Sequence, residues 1–80
     1  MNFANQISRD TDRYNPEIIR ESGSGDVTFV WPIPQRDGSN LTIAKLAAIT
    51  GIDDDLFCSS VFRNSIYLHI PAEIAAAEAK

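Results

Sequence analysis

Eighty residues, 44% hydrophobic and 22% charged, describe one globular domain close to the lower size at which a single core is stable unaided. Seven Lys and Arg against eleven Asp and Glu give a net charge of −4, which works against binding nucleic acid or anionic lipid, because phosphate recognition needs cations that displace counterions. One cysteine, Cys58, excludes an internal disulfide framework; MNFANQISRDTDR lacks a signal-peptide pattern and no apolar run nears the roughly 18 residues of a membrane span, so a cytoplasmic location is expected.

Residues 1–15 mix charge and amide groups with little periodicity and are expected to form an irregular or flexible arm with one turn of helix. NPEIIRESGSGDVTFVWPIP admits two readings. Asn15, Pro16 and Gly23 fit the cap, first turn and end of a short helix, whereas EIIRES and DVTFVW around GSG fit a hairpin; the hairpin is preferred. Val27, Phe29 and Trp31 alternate with Thr28 and Val30, which predicts a strand with an aromatic face, ended by Pro32 and Pro34.

QRDGSN is a turn, and Ser39 or Asn40 is expected to cap the helix LTIAKLAAITG, with Ile43, Leu46, Ala47 and Thr50 on one stripe and Gly51 at its end. So apolar a helix is expected to be mostly buried across a sheet. LFCSSVFRNSIYLHIP reads as two strands about Arg63-Asn64-Ser65. That pairing puts Phe57, Ser59, Val61, Ile66, Leu68 and Ile70 on a core face, and Cys58, Ser60, Phe62, Tyr67 and His69 on a semi-polar, aromatic one. AEIAAAEAK is a short C-terminal helix. The whole is a small α+β domain over residues 1–80: an antiparallel sheet of about four strands in two hairpins, a central helix packed on it, and a short C-terminal helix.

The chemistry-bearing residues are few. Asp53, Asp54 and Asp55 follow Gly51 and are either a helix start or a contact for Lys and Arg; the cap explains one or two of them, and no cation follows within seven residues to neutralise the third. DDDLFCSS lacks the alternating oxygen ligands of a calcium loop. Cys58 with His69 lacks a third group to orient the imidazole, so an inert Cys58, within a half-covered sheet face or under the C-terminal helix, is expected. One His and one Cys are too few for zinc, and no P-loop or dinucleotide glycine fingerprint occurs. No catalytic residues, metal ligands or cofactor are therefore assigned. Trp31, Phe62, Tyr67 and His69 join the aspartates as expected partner contacts, since aromatics anchor interfaces.

LTIAKLAAITGIDDDLFCSSVF resembles a helix-turn-helix, from which it departs by opening the would-be recognition helix with three aspartates. DGSNLTIAKLAAITG with YLHIP resembles a LysM carbohydrate-binding module across residues 27–71, although its anchors are several residues too close and Asp37 and Gly38 are reversed; that resemblance implies glycan binding at a cell wall or in a phage tail. In size, acidity and lack of catalytic groups the chain resembles, as a class, the small phage-encoded anti-CRISPR inhibitors of type I effector complexes. What this implies is a non-catalytic protein whose acidic body occupies a Lys/Arg channel and blocks target DNA binding. Its partner would be a basic protein or ribonucleoprotein surface, with no direct nucleic-acid or membrane binding.

Overall fold

The computed structural model describes residues 3–75. In chain order its elements are α1 (Phe3–Asp10), β1 (Glu17–Arg20), β2 (Val27–Pro32), α2 (Ile43–Thr50), β3 (Phe57–Ser60), β4 (Ser65–Ile70) and α3 (Ala72–Ala75), with 3-10 turns at Asp12–Tyr14 and Asp54–Leu56. The strands form one antiparallel sheet of order β1-β2-β4-β3, two hairpins joined through their inner strands. This is the expected α+β class. Residues 16–22 resolve to the hairpin.

Alternation in β2 sets the core. Val27, Phe29 and Trp31 are buried, and register places Ile70, Leu68 and Ile66 opposite them on the same face. Trp31 stacks on Phe29 with centroids 5.6 Å apart and meets Phe57 at 5.9 Å. Each such aromatic removes about 150–250 Å² from water, roughly 4–6 kcal/mol of gross stabilisation before entropy is charged against it. Ala4 and Ile7 of α1, Leu46 of α2 and Ala75 of α3 close this face from above. The opposite sheet face carries Glu17, Ile19, Thr28, Val30, Tyr67, His69 and Cys58, whereas the buried residues of the described helices join the core on the inner face.

Several expectations are corrected. Within the expected arm of residues 1–15, Phe3–Asp10 is instead an eight-residue helix followed by the 3-10 turn Asp12–Tyr14, and residues 1–2 lie outside the described residues. Ala4, Ile7 and Thr11 recur at spacings of three and four and are all buried; the Thr11 hydroxyl donates to the Ile7 carbonyl at 2.8 Å. So short a helix draws its stability from the sheet it covers, which local periodicity does not report.

The cap of α2 is Thr42, whose Oγ1 accepts from the Lys45 N–H at 3.2 Å, and neither Ser39 nor Asn40 has that role. Ser39 is held by Asp37, whose Oδ1 accepts from its N–H and its hydroxyl. Gly51 ends α2 as expected, with φ 76° and its N–H on the Ala47 carbonyl. The stripe is right, but only Leu46 on it is fully buried, and Ala44, Lys45, Ala48 and Ile49 face outward, so α2 is not mostly buried.

The β3–β4 connection is the four-residue loop Val61–Asn64. Val61, expected in the core, is therefore 89% exposed at its tip, and Ser59 is exposed on the edge strand. The longer loop also shifts the register. Cys58 lies opposite Tyr67 and Ser60 opposite Ser65, while His69 finds Thr28 on β2. Of the C-terminal helix, Ala72–Ala75 is seen and residues 76–80 lie outside the described residues.

Candidate functional site

The three aspartates begin where α2 stops. Ile52 turns inward, its N–H reaching the Thr50 hydroxyl at 3.3 Å, and the chain then makes the single 3-10 turn Asp54–Leu56, closed by the Leu56 N–H on the Asp53 carbonyl. Asp53 occupies the N-cap position but its side chain makes no capping bond, and a three-residue turn has too few aligned peptides to favour three charges. All three are exposed, and among the described residues none pairs with a cation. The capping explanation therefore does not account for them.

Beside them lies an apolar groove of about 530 Å³ between this turn, the end of β4 and α3. Phe3, Ile52, Leu56, Ile70 and Ile74 line it, with Asp53 and His69 at its edge. Leu56 is 62% and Ile74 46% exposed, costly placements for side chains whose burial is worth roughly 2 kcal/mol each. An apolar trough with Asp53 in its lining and Asp54 and Asp55 next in the chain, none paired with a cation among the described residues, is complementary to an apolar side chain flanked by Lys or Arg.

The remaining expected contacts do not join this site as one patch. Trp31 is 0% exposed and serves the core, so its assignment as a partner contact is corrected: its alternation with Val27 and Phe29 already placed it on the inner face. Phe62 is 101% exposed at the tip of the β3–β4 loop, at the other end of β3 from the aspartates. Tyr67 is half-buried on the open sheet face. Ser65 foremost, then Ser60 and Arg63, hold its phenol below the ordinary 10.0 against the opposing effect of burial. The buried Ser65 hydroxyl has no partner at hydrogen-bond geometry among the described residues.

His69 is engaged at both nitrogens. Nδ1 lies 3.2 Å from the Thr28 hydroxyl and Nε2 3.4 Å from Asp26 Oδ2, while Asp26 Oδ1 accepts from the Ala72 N–H at 2.9 Å. Hydroxyl, imidazole and carboxylate thus stand in relay order, and the third group that sequence reading did not find is Asp26. The chain of contacts runs from β2 through β4 to the first N–H of α3, which gives it the form of a clasp. Cys58 is exposed on the open face opposite Tyr67, neither half-covered nor under α3. Among the described residues no group of three His, Cys, Asp or Glu could hold a metal ion, and no helix is long and apolar enough to cross a membrane.

Two resemblances lose their structural basis. The recognition helix of a helix-turn-helix is here one 3-10 turn, too short to lie in a groove of DNA. The final strand of a LysM module should follow the second short helix directly, but β3 and the Val61–Asn64 loop intervene. Comparison with protein-family models, with curated protein sequences and with solved structures finds no match.

Proposed function

We propose that this chain is a non-catalytic binding protein that engages a basic surface of a protein or ribonucleoprotein through the Asp53–Asp55 rim and the groove beside it. The observation that carries the reading is the exposed run Asp53–Asp55, paired with no cation among the described residues, whose first member lines an apolar groove of about 530 Å³. The apolar trough supplies affinity through buried area, and the acids supply orientation and encounter rate. The biological use that best fits its size and acidity is inhibition: a phage-encoded protein of anti-CRISPR type, acting in the host cytoplasm, that seats its acidic end in the Lys/Arg channel of a type I effector complex and occludes target DNA.

The test adds the purified chain to a guide-loaded type I effector complex and follows target-duplex binding by mobility shift. Stoichiometric chain should abolish DNA binding. The variant Asp54→Lys with Asp55→Lys, unchanged in thermal midpoint, should require at least tenfold more protein, and the gap should narrow as salt rises. Undiminished DNA binding at excess chain would reject the inhibitor reading; equal potency of the variant would reject the site.

A further inference from the structure

Away from the groove, two arginines from distant parts of the chain share a polar cleft of about 210 Å³. Arg13 comes from the 3-10 turn after α1, and Arg36 from the loop between β2 and α2. The Arg13 guanidinium lies 5.3 Å above the Tyr14 ring, a cation–π contact that narrows its positions over the cleft. Asn15, at φ 55°, lines the cleft beside them.

The opposite wall is a braced loop. Gln35 N–H donates to the Ser39 carbonyl at 2.8 Å and Gly38 N–H to the Gln35 carbonyl at 2.9 Å, while the Gln35 side-chain amide is anchored on the Pro32 carbonyl at 2.7 Å. Asp37 also lines the cleft; its Oδ1 takes the Ser39 N–H at 3.0 Å and the Ser39 hydroxyl at 2.6 Å. Among the described residues neither Arg13 nor Arg36 forms an ion pair, although acids outnumber cations in the chain. The cleft thus holds two planar five-donor forks against one lining carboxylate, Asp37, one of whose oxygens is satisfied by its own loop.

We propose that this cleft is an oxyanion site, taking a carboxylate or phosphate group through Arg13 and Arg36. Its volume is below the roughly 300 Å³ at which drug-sized ligand sites begin, so it admits a small free anion or one acidic side chain of a larger partner, not a bulky cofactor. Paired guanidinium forks bind such groups in a bidentate way that a spherical anion cannot match. The inference is independent of the groove and its partner.

The test is an amide NMR titration of the full chain with inorganic phosphate and, separately, with a capped phosphoserine tripeptide, each against chloride at equal ionic strength. Resonances of Tyr14, Arg36 and Ser39 should shift and saturate with phosphate and stay put with chloride. Arg13→Gln and Arg36→Gln, both at exposed positions and checked for an unchanged spectrum elsewhere, should each weaken binding at least tenfold. Tenfold tighter binding of the phosphopeptide would support a partner's side chain as the source, and equal binding a free anion. Shifts that chloride reproduces, that never saturate, or that both variants retain would overturn the proposal.

Discussion

Replacing Asp26 by Ala tests the clasp between the first hairpin and α3. The Asp26 carboxylate accepts the Ala72 N–H at 2.9 Å, a capping bond whose loss costs about 1 kcal/mol, with a usual range of about 0.5–2. Its other oxygen stands 3.4 Å from His69, whose side chain is 55% exposed, so that contact contributes at most about 0.5 kcal/mol after screening. The substitution should therefore cost about 1–2 kcal/mol. For a domain of this size that is a fall in thermal midpoint of about 5–15 °C, measured by circular dichroism. Asp26→Asn keeps an oxygen for the Ala72 N–H and should lose about 0.5 kcal/mol or less. In a double-mutant cycle, His69→Ala should couple to Asp26→Ala by no more than that pair contribution. Equal losses for the Asn and Ala variants, or an unchanged midpoint for Asp26→Ala, would refute the assignment of this carboxylate as the cap of α3.

Trp31→Ala should cost about 3–5 kcal/mol in urea denaturation, while Phe62→Ala should change stability by less than about 0.5 kcal/mol; comparable losses would mean that the hairpin tip packs against the body. Gly25→Ala should destabilise by about 1–2 kcal/mol in thermal melts, because the position has φ 81° and a new Cβ would stand 3.1 Å from that of Ala72, whereas Gly23→Ala, with open space around it, should be neutral or slightly stabilising. The Ser39 hydroxyl and N–H hold the Asp37 carboxyl below its ordinary 3.8, so the bonds bracing that loop should persist through mild acid and be lost only as pH falls through the lowered value; a carboxyl-carbon titration with its midpoint at or above 3.8 would contradict this.

What could be read beforehand followed the range of the forces involved. Alternation through Val27, Phe29 and Trp31 and the stop at Gly51 are written in neighbouring residues, and both held. The same alternation argued against Trp31 as a contact, since a residue cannot serve the inner face and a partner together. Helix α1 escaped detection because its anchors, Ala4 and Ile7, are few and gain their worth only from the sheet beneath. The length of the Val61–Asn64 loop decided which way Val61 points, and loop length is weakly encoded. The groove was hidden because Leu56 read as the start of a strand, and Asp26 because Ala72, its partner, lies 46 residues away.

Antiparallel register sends the connections alternately to two ends of the sheet. Residues 12–16, 33–42 and 61–64 gather beside Glu17, Pro32, Ser65 and Ser60, and residues 21–26, 51–56 and 71–75 beside Arg20, Val27, Ile70 and Phe57. At one pole Arg13, Arg36 and Arg63 are offset by Asp12, Glu17 and Asp37, whereas at the other Glu21, Asp26, Asp53, Asp54, Asp55 and Glu73 face only Arg20. The molecule is an electrical dipole as well as a net anion, and a cationic surface exerts a torque on it. Within a Debye length of about 8 Å at physiological salt, a short distance beside the 34 Å long axis, the acidic pole is drawn forward before any atoms touch. The fold thus aims the protein, and dilute buffers should reveal that aim as faster association and as a tendency of copies to align pole to pole.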